Sequence, residues 1–178
     1  VLYCMRDFLG EDTLNKAFNA LVDSFGYAEP PWPTALDMYR EIRAVTPDSL
    51  TYLLEDNFKY ITLYNNGITS TKATMNADSS WTVDVRLTAD KVHADSLGKE
   101  TKVPVNDWMD IAVERKPAFG KNAKKELNDV PLVQQRVKLR SGANSFTFTV
   151  PEKPLAVVID PDHLFFDRLP EDNRKKVE

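Results

Sequence analysis

The feature that most constrains this chain is a change in the spacing of its apolar residues near position 60. Up to about Phe58 they recur every three and four residues, as on one face of a helix, whereas beyond about Tyr60 they alternate, as in strands with one buried face. One layer cannot satisfy both periods. A boundary is therefore expected near residue 60, and the charge changes with it: residues 1–64 carry ten acidic and five basic side chains, while residues 65–178 carry seventeen acidic and eighteen basic. With 178 residues and 42% apolar content, both parts can bury a core.

In the first part, Val1, Cys4, Met5, Phe8 and Leu9 form one helical stripe, and Gly10 stands where a left-handed C-terminal cap would sit. Glu11 and Asp12 open a second helix carrying Leu14, Phe18, Leu21, Val22 and Phe25, which Gly26 ends. The run Glu29-Pro30-Pro31-Trp32-Pro33 cannot be helical and reads as a stiff connector. Thr34 with Asp37 resembles a capping box ahead of a third helix through Leu36, Tyr39, Ile42 and Val45. Thr46 as cap and Pro47 at the first helical position then announce a fourth, which would bury Leu50, Leu53, Leu54 and Phe58.

The second part reads as strands. Trp81, Val83, Val85, Leu87 and Ala89 alternate with Thr82, Asp84, Arg86 and Thr88, and Ala77-Asp78-Ser79-Ser80 joins this run to Thr69–Asn76 as a hairpin. Met109, Ile111 and Val113 mark another strand. Residues 133–140 and 145–150, linked through Ser141-Gly142-Ala143-Asn144, read as a second hairpin, and Leu155–Ile159 as a central strand. Residues 115–128, with five basic and one acidic side chain, predict an exposed, mobile loop. The expected fold class is α+β: about four helices over residues 1–59, then six to eight strands forming an antiparallel β-sandwich of Ig-like type over residues 60–178.

Composition excludes several functions. The formal net charge of −4 lacks the massed cationic face of a nucleic-acid binder, and no apolar run approaches the length of a membrane-spanning helix. The single cysteine, Cys4, can form neither an intramolecular disulfide nor a thiolate zinc site, and its place on a helical stripe suits a buried, inert thiol. Among candidate sites, His93 and Asp95 would share one strand face, but two ligands do not make a zinc site, and a solvent-facing histidine is the better reading. Asp160-Pro161-Asp162-His163 with Asp167 is the densest oxygen-rich cluster; calcium would accept such ligands if enough oxygens converged, while turn chemistry at a strand end explains it more simply. The residues alone leave open whether Asp160, Asp162 and His163 hold an ion. Trp32, Trp81 and Trp108 could build an aromatic platform for a sugar, with Trp81 in phase with the core and Trp108 on the opposite face. Lys121–Lys125 could touch a phosphate-rich surface, with a solvated loop the default. The chain contains no His-Glu-x-x-His, no phosphate loop and no serine-nucleophile elbow, so catalytic, cofactor and metal residues are each expected to be none.

One resemblance extends along most of the chain. Val1-Leu2-Tyr3-Cys4-Met5-Arg6-Asp7-Phe8-Leu9-Gly10-Glu11-Asp12, followed by Leu14, Ala17-Phe18 and Leu21, resembles the helices downstream of the active site in zinc aminopeptidases of the aminopeptidase N class. Thr46-Pro47-Asp48-Ser49-Leu50, Ile61-Thr62-Leu63-Tyr64, Asp107-Trp108-Met109-Asp110-Ile111, Arg140–Phe148, Ile159-Asp160-Pro161 and Asp167–Asn173 are similar to the C-terminal end of bacterial membrane proteins. Those proteins join an ABC-transporter-type permease to an extracytoplasmic aminopeptidase N-like region.

The resemblance transfers no catalytic position, because the family's zinc ligands and catalytic tyrosine lie upstream of Val1. It implies that residues 1–59 end a thermolysin-like catalytic domain and that residues 60–178 form the sandwich after it. The opening Val1-Leu2-Tyr3-Cys4-Met5 accordingly reads as an excised piece of a longer, periplasmic-side protein. The implied function is a non-catalytic part that packs on and stabilises the catalytic domain of the same chain. Zinc, peptide substrate and membrane are then reached only through the parent protein. The alternative is a binding or assembly module beside a transporter whose parent has lost peptidase activity. In either case, helices cut from their domain should expose apolar surface and self-associate.

Overall fold

Gly10 is the pivot of the first helical pair. The computed structural model, which describes every residue except 28 and 118–129, places it at φ 83° and ψ 150°, a region open to glycine alone. Its N–H donates to the Arg6 carbonyl at 2.9 Å and so closes α1 (Leu2–Leu9), while its own carbonyl accepts from Leu14 and opens α2 (Glu11–Phe25). The expected left-handed cap is thus a sharper, glycine-only corner. Cys4, Met5, Leu14 and Ala17 are buried, whereas Val22, expected on the buried stripe, is 60% exposed.

The capping box forms as its residues imply. The Thr34 N–H and hydroxyl both donate to Asp37 Oδ2, at 2.8 and 2.7 Å, ahead of α3 (Ala35–Val45). Ile42 is buried, but Leu36 faces solvent. Thr46 does not cap the next helix: its hydroxyl turns back to the Ile42 carbonyl at 2.7 Å and closes α3 instead. The chain continues through a 3-10 turn at Asp48–Leu50, a short α4 (Thr51–Leu54) and a π-type turn at Glu55–Lys59, which together bury Leu53 and Leu54. It divides into two compact units, Val1–Thr62 with Ala94–Lys99, and Leu63–His93 with Glu100–Glu178.

In the second unit, the strands fall into two sheets. β1 (Ile61–Met75), β2 (Trp81–Ala94), β3 (Glu100–Val103) and β6 (Gly142–Val150) make one; β5 (Val133–Arg140), β4 (Asn106–Arg115), β7 (Pro154–Ile159) and β8 (Arg174–Lys176) make the other, in that order. The β2–β6, β4–β5, β4–β7 and β7–β8 pairings are antiparallel. Val83, Val85 and Leu87 of the first sheet belong to the same buried cluster as Met109, Ile111, Val113 and Leu139 of the second. The architecture is therefore α+β, helices first and antiparallel sheets after.

The Ala77–Ser80 hairpin is present, held by Asn76 N–H to the Ser80 carbonyl at 2.8 Å with Ser79 at φ 68°. The second hairpin is not. β5 pairs with β4 and β6 with β2, so the chain crosses from one sheet to the other at Ser141-Gly142. Gly142 at φ 82° turns the backbone, and the Asn144 side chain takes both backbone groups of Arg140, accepting its N–H at 3.0 Å and donating to its carbonyl at 2.7 Å. A side chain thereby substitutes for the strand partner that a hairpin would have supplied.

Candidate functional site

Two polar clusters stand out in the β unit, one inside it and one on its surface. The inner one grows from the strand period itself. Lys91 continues the inward phase of Val83, Val85, Leu87 and Ala89 on β2, and Asp107 that of Met109, Ile111 and Val113 on β4. Lys91 Nζ donates to Asp107 Oδ2 at 2.8 Å, with the two side chains only 6% and 3% exposed. The Tyr64 hydroxyl donates to the same oxygen at 3.0 Å, and its ring meets Phe165 edge-on at a centroid distance of 5.2 Å. The Lys91 ammonium also lies 5.7 Å from the centre of the Tyr64 ring.

This arrangement ties β1, β2 and β4 together across the two sheets. The added hydrogen bond satisfies a carboxylate lone pair that the ion pair leaves open, which is what a charge pair buried this deeply requires. Sequence reasoning missed it, although the signal was available as two charged residues in phase with apolar runs.

The outer cluster is the Asp160 corner. Asp160 is buried at φ 49°, and its two carboxylate oxygens accept the backbone N–H groups of Leu164 and Phe165, each at 2.9 Å. Its carbonyl accepts from His163, which itself takes φ 50°. Burial raises the Asp160 pKa, and the N–H bonds from Phe165 and Leu164 oppose that rise only in part. Asp162 accepts from Gln134 Nε2 at 2.8 Å, and Asp167 from the N–H groups of Asn66 and Leu169. These carboxylates terminate turns and strands rather than converging on one point. Among the described residues, no group of three His, Cys, Asp or Glu side chains is placed to hold a metal.

Beside this corner, a cleft of about 440 Å³ is lined by Glu114, Arg115, Gln134, Asp162 and Arg174, among others. Arg174 donates to both oxygens of Glu114, with Nη2 at 2.6 Å from Oε2, and Arg136 grips Asp110 through Nε at 2.8 Å and Nη2 at 3.0 Å. The guanidinium groups of Arg174 and Arg136 are thus matched by carboxylates of the same surface.

The remaining sequence candidates separate. Asp95 lies past the end of β2, and its Oδ1 accepts the N–H groups of Leu97 and Lys99, so it shapes a turn rather than sharing a strand face with His93. Cys4 is buried and in no disulfide. Trp81 packs against the core of the first sheet, with Lys153 Nζ 5.6 Å from its ring centre. Trp108 is half-buried on β4 of the second sheet, 5.5 Å from Lys138 Nζ, and Trp32 in the helical unit is 65% exposed. Trp81 and Trp108 therefore belong to different sheets and do not make one platform. Lys121–Lys125 and most of the basic loop fall outside the described residues.

No helix among the described residues is long and apolar enough to cross a membrane. No protein-family model matches the chain, and no curated protein matches it.

Proposed function

We propose that this chain is the non-catalytic C-terminal portion of a membrane-associated zinc aminopeptidase, packing on the catalytic domain and stabilising it on the extracytoplasmic side. The reading starts from the resemblance in the helical and strand segments, and one observation carries it: the apolar surface left on the first two helices. Leu2, Tyr3 and Val22 are 43%, 72% and 60% exposed, and Leu2, Tyr3, Leu14 and Phe18 line a groove of about 410 Å³. A helical pair of this kind gains by laying that surface against a neighbouring domain.

In this reading the two sheets form an Ig-like sandwich that comes after the catalytic domain. In this reading zinc would be held by residues upstream, as the resemblance implies, and no residue of this chain has a catalytic role. Peptide substrate would be met by the parent protein.

The test has two steps. The reading frame upstream of Val1 is inspected for His-Glu-x-x-His with a glutamate one helix further on; the longer protein is then assayed for chelator-sensitive release of N-terminal residues. An intact motif with activity, and loss of hydrogen exchange at α1 and α2 in the longer protein, are the expected results. A degenerate motif without activity would overturn the peptidase reading and leave an extracytoplasmic binding or assembly module beside a permease.

A further inference from the structure

The two sheets end in edge strands of opposite character. Among the described residues, β5 pairs only with β4 and β6 only with β2. β5 carries Arg136, Lys138 and Arg140, whereas β6, Gly-Ala-Asn-Ser-Phe-Thr-Phe-Thr-Val over Gly142–Val150, has neither a charged residue nor a proline. Its pairing with β2 also runs without a register break from Trp81 opposite Val150 to Ala89 opposite Gly142. Charge, proline and bulges are the devices that keep an edge from recruiting another strand. β6 has none of them.

We propose that β6 is a homodimerisation edge, to which a second copy of this chain adds its own β6 antiparallel. Electrostatics selects the occupant. Antiparallel pairing about a two-fold axis sets a strand against itself, so a strand with charges of one sign meets those same charges in its partner. β5 would oppose its arginines and lysine to their copies. β6 meets no such penalty: exposed Ser145, Thr147 and Thr149 face their own kind on the outer surface, and buried Phe148 and Val150 with half-buried Phe146 line the inner one. Cross-strand Thr–Thr and aromatic or β-branched pairs are favourable combinations. The outer hydroxyl row is also pinned, since Thr147 Oγ1 donates to Asp84 Oδ1 at 2.8 Å on the neighbouring strand.

The experiment is sedimentation of the 178-residue chain over a concentration series, with two variants. The expected result is a monomer–dimer equilibrium whose dissociation constant rises about tenfold or more in Ser145→Lys/Thr147→Lys, which sets like charges across the two-fold. Val22→Lys, at an exposed position of α2, should leave it unchanged. Both replaced β6 side chains are exposed, and an unchanged thermal midpoint confirms that the double variant folds. Hydrogen exchange on the unaltered chain gives an independent reading, with β6 amides gaining protection as concentration rises. A chain that stays monomeric overturns the proposal. So does a dimer abolished by Val22→Lys but not by the β6 variant, or protection confined to α1 and α2, because association would then run through the helices.

Discussion

Lys91 and Asp107 come from different sheets and meet as an ion pair of 2.8 Å inside the β unit. Replacing only the cation leaves a buried carboxylate whose remaining donors are neutral, Tyr64 among them. Lys91→Met is expected to cost about 3–5 kcal/mol of unfolding free energy. Lys91→Met/Asp107→Asn removes the stranded charge while keeping an acceptor for the Tyr64 hydroxyl, so it should recover part of that loss. Urea denaturation of both variants measures the difference, and a double variant less stable than the single would refute the account.

Asp160 and Asp37 should give stability profiles of opposite slope. Hydrogen bonds from the Thr34 backbone and side chain depress the Asp37 pKa below the unfolded value. Its stabilising contribution is therefore present above the unfolded carboxylate pKa and is lost as pH falls through the folded one. Burial raises the Asp160 pKa, so its contribution is complete below the unfolded value and is lost as pH rises through the higher folded value. Denaturation at a series of acidic pH values should show a shallower loss at low pH in Asp37→Asn. Asp160→Asn should remove the component that declines toward neutral pH.

The Asp160 corner also predicts a size of effect. Asp160→Ala leaves two part-buried N–H groups without their acceptors and forces alanine to φ 49°, for a loss of about 2–4 kcal/mol. A thermal melt that does not move would exclude the corner as a structural element.

How far these features could be read in advance depended on whether a side chain obeyed the period of its strand. The alternation of Val83 to Ala89 announced β2, and the capping residues announced α3, because in each case the local pattern and the tertiary environment agree. The alternation of β1 is partly masked because its inward face carries Thr62, Asn66 and Thr71 in place of apolar residues. The crossing at Ser141-Gly142 looked like a hairpin because the choice between one sheet and two is made by distant partners, Met109 opposite Val137 and Val85 opposite Phe146, and no turn signal reports that choice. The carboxylates at Asp160, Asp162 and Asp167 were visible as a cluster, but whether oxygens converge or cap separate N–H groups is a matter of backbone direction.

Gly10 and Gly26 both end helices, for different reasons, and should respond differently to alanine. At Gly10, nothing lies within 4 Å of an added Cβ, so the cost is the φ of 83° alone, about 1–3 kcal/mol. At Gly26, φ is an ordinary −64°, but the added Cβ would come to 2.5 Å from the Val22 carbonyl oxygen. Gly26→Ala should therefore force the end of α2 open, with a loss of roughly 1–2 kcal/mol. D-alanine at the two positions separates the mechanisms: a semisynthetic chain should be rescued at Gly10, where positive φ suits the D residue, and not at Gly26.

The final segment of the chain bonds to a strand of each sheet. On β1, Ile68 N–H donates to the Asp172 carbonyl, the Thr71 hydroxyl to that of Lys176 and Ala73 N–H to that of Glu178; on β7, Ile159 N–H donates to the Asn173 carbonyl and the Leu155 carbonyl accepts from Val177. Val177 also packs against the shared core. Ending the chain after Pro170 removes these five bonds and should cost about 3–6 kcal/mol. Hydrogen exchange is the decisive measurement, because the loss must fall on both strands. Amides of Ile68, Ala73 and Ile159 should exchange faster together, while those of α2 keep their rates; acceleration on β7 alone would mean that the segment belongs to one sheet.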